Sequence, residues 1–123
     1  MNKTGTQQGR SAGALWIVQA ISGLLLILLL GLHMVAQHFV AEGGIRDFQA
    51  VIAYISNPIV FLIEVVFLIV VTTHAMLGLR AVLLDTNPGQ GLRQAVNWGV
   101  TLLGGAALIY GIWLAIQLQS MAV

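Results

Sequence analysis

Apolar residues run almost unbroken through three stretches of this chain, and polar or turn-forming residues collect between them. The first stretch runs from about Ala14 to Phe39 or Val40 and contains the near-pure run 21–32. The second runs from Pro58 to Leu84, and the third from about Val96 to residue 116 or 117. Crossing the hydrocarbon core by helix takes about 20 largely apolar residues, so each stretch is long enough to span. Lipid offers backbone groups no partners, which predicts that all three are α-helices. A two-residue alternation is absent, which argues against a porin-like barrel. Asn57-Pro58 marks the second start, with Asn57 as N-cap and proline in the first turn. The expected class is an all-α membrane protein, with a polar tail over residues 1–13 and one three-span domain over 14–123.

The linkers are short. Phe48, Val51, Ile52 and Ile55 fall at i, i+3, i+4 and i+7, which predicts a short interfacial helix over about 45–55. Asp85-Thr86-Asn87-Pro88-Gly89-Gln90-Gly91 is turn chemistry throughout. The first span is too long for the apolar region of a cleavable signal and is expected to be retained.

Composition narrows the function classes. Of 123 residues, 59% are hydrophobic and only 7% charged, against roughly 25% charged in soluble domains. The mean hydropathy of +0.94 leaves too little polar surface to face water. With a net charge of +1 there is no electrostatic case for nucleic acid. Absence of cysteine excludes disulfides, thiolate metal sites and cysteine nucleophiles. Lys3, Arg10, Arg80 and Arg93 fall on one side of the three-span arrangement and Arg46 on the other. The positive-inside rule then puts the N-terminus in the cytoplasm (or matrix) and the C-terminus outside.

Ionisable side chains at membrane depth cost roughly 2.5–3.5 kcal/mol on insertion scales, so each needs a reason. His33, Glu64 and His74 are the cases; His38 sits at the outer end of span one, where interfacial solvation accounts for it. A neutral imidazole has one nitrogen free for a metal, and histidine is the usual protein ligand of haem iron. Gly78 lies four residues past His74 on the same helical face, leaving room beside the ring for a flat macrocycle. Arg80, about 9 Å along the helix from His74, is a candidate for haem propionates. The alternative is a histidine hydrogen-bonded to a neighbouring helix.

Depth constrains this reading. Counted along their spans, His33 and His74 differ by about 12 Å along the membrane normal. Opposed axial ligands of one iron lie at nearly the same level, so these two do not share a haem. A haem at His74 requires its second ligand from another chain. His33 is either the ligand of a second, outer haem or a hydrogen-bonded interfacial residue. Glu64, near the outer surface, reads as a protonated or paired packing residue, with a proton path as the minor alternative. The glycines Gly23, Gly31, Gly104, Gly105 and Gly111 read as close-packing positions. Trp16, Trp98 and Trp113 lie near span ends, as an aromatic belt requires. No Ser/His/Asp set, paired carboxylates, phosphate loop or His-Glu-x-x-His is present, so the chain has no active site of its own.

Ser22-Gly23 early in span one, with His74-Ala75-Met76-Leu77-Gly78-Leu79-Arg80 and Asp85 at the end of span two, resembles the membrane-anchor subunits of succinate dehydrogenase, respiratory complex II. Fumarate reductase anchors are close relatives. The resemblance covers about 70 residues, through Asp85. It implies that the three helices form half of a hetero-oligomeric haem-binding bundle, completed by a second, cytochrome b-type anchor. An iron–sulfur subunit and a flavoprotein would dock on the cytoplasmic face and pass electrons to a quinone bound at the subunit interface. The family's haem b ligand corresponds to His74, and one or two haems are implied. Ser22 and Asp85 would then lie near the quinone site. The chain departs from the cytochrome b-type anchor, because Gln19-Ala20-Ile21 stands where that protein has a His-Arg pair before Ser-Gly. The other, smaller anchor of the complex is the better match, although Thr86 follows Asp85 where many such anchors have a quinone-bonding tyrosine. Two other classes remain open: a cofactor-free structural membrane subunit, and part of a small transporter with Glu64 lining its path.

Overall fold

A computed structural model of the chain describes residues 4–41, 43–45 and 47–122. Lys3, Glu42 and Arg46, which enter the charge and linker readings above, lie outside the described residues. Helix α1 spans Thr4–Val35 and runs on as a π-helical turn, Ala36–Val40. Helix α2 is Phe48–Ser56, α3 is Pro58–Asp85 and α4 is Gln90–Ser120. Three of these helices are long and apolar enough to cross a membrane, over 9–40, 58–85 and 90–120. Both α1 and α4 begin well before their apolar windows. Hydropathy marks the part of a helix that lipid covers, whereas Gln, Arg and Leu at the polar ends are good helix formers and carry it further.

Local chemistry sets the remaining boundaries. Asp47 caps α2 by accepting from the Ala50 N–H at 2.8 Å. Asn57 caps α3 through the N–H groups of Ile59 and Val60, with Pro58 at the first helical position. Between the π turn and α2 the chain reverses through Gly43 and Gly44 at φ +76° and +80°, a region that glycine enters without steric penalty.

Helix α3 packs against both α1 and α4. Along α1 and into the π turn the buried residues Ser22, Leu29 and Ala36 recur every seven positions, the spacing of a packed antiparallel seam. Gln19 lies opposite Gly78, Ser22 opposite His74 and His33 opposite Glu64. On the other side of α3, Gly104 meets Met76 and Gly111 meets Leu68, so tightly that an added Cβ would sit 2.8 and 2.6 Å from those side chains. These are the close approaches expected of small residues between membrane helices. Gly31 and Gly105 have nothing within 4 Å of such a Cβ, so they are not close-approach positions within this chain. The short α2 covers the end of the bundle opposite the α3–α4 turn, burying Tyr54 and Ile55 against α3 and α4. Outward faces remain apolar: Leu24 is 71% and Ile27 73% exposed, which suits lipid or a partner helix and not water.

Candidate functional site

The seam between α1 and α3 holds two polar groups in an otherwise apolar interface. Nearer the α3–α4 turn, the Ser22 hydroxyl donates to the Gln19 carbonyl at 3.0 Å, one turn back in its own helix. A hydroxyl has a single proton, so the same oxygen accepts from His74 Nδ1–H, also at 3.0 Å. That assignment puts the imidazole proton on Nδ1 and the lone pair on Nε2, the form in which a histidine ligates a metal. Ser22 is 8% exposed, so the bond is sheltered from competing water.

Space around the ring comes from Gly23. A Cβ there would lie 3.1 Å from His74 Cε1. Gly78, which the sequence places beside His74, serves a different contact: its missing Cβ admits the Gln19 side chain, whose Nε2 would be 3.1 Å away. The room expected for a macrocycle at Gly78 is thus already filled from α1. The Gln19 amide oxygen is buried with no hydrogen-bond partner among the described residues. An orphaned buried acceptor costs about 1–3 kcal/mol, a penalty that a donor from outside the chain would relieve. We expect Gly23→Val to push the imidazole out of line and cost about 1–3 kcal/mol by overpacking. Reversible unfolding of the chain in detergent reads this as a lower transition midpoint.

Arg80 turns toward α4, where its Nε donates to Asn97 Oδ1 at 2.7 Å. Its side chain also lines a groove of about 190 Å³ with Trp16, Gln19, Leu77 and Ala81, at the same end of the seam. Asp85 is exposed at the last position of α3. It stands about 16 Å along the helix from His74 and hence from Ser22, so the two residues assigned to one neighbourhood by resemblance are not brought together.

Toward the other end, His33 Nδ1 lies 2.7 and 2.8 Å from the two Glu64 carboxylate oxygens. Gln37 Nε2 donates to His33 Nε2 at 3.0 Å, which leaves the ring proton on Nδ1 for Glu64. Tyr54 donates its hydroxyl to Glu64 Oε1 at 2.5 Å, and the Phe67 ring lies 4.8 Å from the imidazole. Glu64 is therefore paired from two elements. His33 lies eleven residues beyond Ser22 on α1, about 16 Å from the level of His74.

Tyr54, Gln37 and Asn97 escape a reading of the sequence, because uncharged polar side chains near helix ends are unremarkable and only the packing of the helices gives them their partners. Gln19, Ser22 and His33 do carry a signal: they lie along the seam of α1 as a polar stripe facing Gly78, His74 and Glu64. Among the described residues no three His, Asp or Glu side chains converge as a metal cage. His74 thus offers a single donor.

Comparison with known proteins gives a consistent picture. The family model described as succinate dehydrogenase/fumarate reductase transmembrane subunit matches residues 3–116. A succinate dehydrogenase hydrophobic membrane anchor subunit from Archaeoglobus fulgidus is 36% identical over 99 residues, covering 80% of this chain and 84% of that protein. The protein of the same description from Thermoplasma acidophilum is 27% identical over 105 residues, 85% of each chain. No solved structure matches the chain.

Proposed function

The chain belongs to the succinate dehydrogenase/fumarate reductase transmembrane-subunit family, and from that premise we propose that it anchors a succinate:quinone oxidoreductase and holds haem b jointly with a second anchor subunit. Family membership already makes it a multi-pass membrane anchor, with the lipid bilayer and the other subunits of the complex as its surroundings. The observation that carries the haem reading is the 3.0 Å contact between His74 Nδ1 and the Ser22 hydroxyl, which leaves Nε2 as the nitrogen without a partner among the described residues. A bound haem b supplies one-electron storage between iron–sulfur clusters and quinone.

This chain's own residues do the positioning. The helix seam holds the imidazole, Gly23 leaves space for the ring, and Arg80 borders the groove at the same end, where an anionic group would find it. Basic residues at that end, Arg10, Arg80 and Arg93, put it in the cytoplasm, where the iron–sulfur subunit and flavoprotein dock. Quinone is bound at the interface with those partners. Asp85 belongs to that docking end. Ser22 spends its oxygen on His74.

One observation favours a second haem: His33 has its Nδ1 on a carboxylate, the arrangement common behind metal-ligating histidines, and only the Gln37 amide on Nε2.

The experiment is isolation of the tagged chain from membranes, followed by flavin and haem assays. Flavoprotein and b-type haem are expected together. Flavin without haem would leave a structural anchor, and neither would contradict the anchoring role.

A further inference from the structure

We infer that Ser22 is the positioning residue that fixes the His74 tautomer and orientation, and that it acts through His74 and not on quinone. The inference rests on the haem reading for its consequence, but its structural core stands on the geometry of the seam. Three features make Ser22 fit for this role. Its proton is used within α1, on the Gln19 carbonyl at 3.0 Å, so its oxygen faces α3 as an acceptor. Its 8% exposure leaves no water to compete for the imidazole. Among the described residues it is the one hydrogen-bond partner of His74.

The consequence follows from the chemistry of imidazole. With an acceptor at Nδ1 the ring keeps its proton there, and Nε2 remains a lone-pair donor aimed by a fixed ring. Acceptance at Nδ1–H also makes the imidazole a stronger donor, which favours the ferric over the ferrous form of a bound iron. Without the oxygen, nothing in the seam holds the proton at Nδ1 or fixes the ring's rotation, so both the ligating tautomer and its aim are lost even though the ligand itself is intact.

The test uses the intact complex carrying Ser22→Ala, Ser22→Thr or His74→Ala, with nitrogen-15 histidine NMR of the full chain in detergent micelles. We expect Ser22→Ala to weaken haem retention about 10- to 100-fold and to raise the midpoint potential of what remains, and Ser22→Thr to restore both. In the haem-free chain, His74 of the unaltered protein should be protonated at Nδ1, and Ser22→Ala should abolish that preference. Haem retention and midpoint unchanged in Ser22→Ala, or an Nε2–H tautomer in the unaltered chain, would overturn the inference. Should His74→Ala keep its full haem signal, the haem reading falls by itself, and the NMR still decides whether Ser22 sets the ring. If Ser22→Ala fails to assemble, the tautomer of the unaltered chain and the behaviour of Ser22→Thr decide the matter.

Discussion

Replacing His74 with alanine is expected to abolish the b-type band in the reduced-minus-oxidised spectrum of the purified complex while leaving its flavin content intact. The two halves of that outcome have separate physical grounds. On the proposed haem reading, loss of the imidazole would remove one of the two groups that grip the iron, and no other histidine of this chain lies at that level, His33 being about 16 Å further along α1. Retention of the flavoprotein follows from what the substitution leaves behind. The Ser22 hydroxyl still donates to the Gln19 carbonyl, so no buried donor is orphaned. A void of imidazole size remains in the seam, but the contacts of α3 with α4 through Gly104 and Gly111 are on its other side. A spectrum indistinguishable from the unaltered complex would remove His74 as the ligand.

A second large effect is expected at the opposite end of the bundle. Glu64→Leu takes the acceptor away from both His33 Nδ1–H and the Tyr54 hydroxyl. Each donor left unpaired costs about 1–3 kcal/mol; His33 is partly exposed but Tyr54 is buried, so a total of about 2–4 kcal/mol is expected. Reversible unfolding in detergent measures it. Glu64→Gln, which keeps one carbonyl oxygen, should cost less than half as much. Burial, then the hydrogen bond to Glu64 and its negative charge, push the Tyr54 phenol well above its usual value. The folded state thus favours the neutral phenol. Its contribution is fully present below about pH 10 and is lost as pH rises further. Tyr54→Phe should therefore erase a pH dependence confined to strongly alkaline conditions. A Glu64→Leu protein as stable as the original would show that the cluster contributes nothing to holding α2 on the bundle.

How much of this is legible in the sequence depends on the kind of signal. Span number and helical type follow from apolar run length, because lipid tolerates few other solutions. The caps at Asn57 and Asp47 differ in legibility: Asn57-Pro58 is a recognisable start, whereas Asp47 sits in a linker with several competing polar residues. His74 stands out as an ionisable group at depth. Its partner does not, since Ser22 is small, common in membrane helices and 52 positions away; only helix register brings the two together. Gly78 shows the reverse failure. Same-face spacing puts its gap beside His74, but a neighbouring helix decides which side chain uses a gap, and α1 supplies Gln19. Arg80 is conspicuous as a charge near the end of an apolar helix, but Asn97 of α4 sets its direction. Helix ends read from hydropathy err in one consistent sense, too short, because polar residues continue a helix beyond the bilayer.

The most direct measurement is a density map of the purified complex at a resolution that places side chains. Expected there are His74 Nε2 at bonding distance from a porphyrin iron, Nδ1 on Ser22, and a histidine of another chain on the opposite face of the macrocycle. A His74 ring facing lipid, or packed among plain side chains with no porphyrin beside it, would contradict the haem-anchoring role.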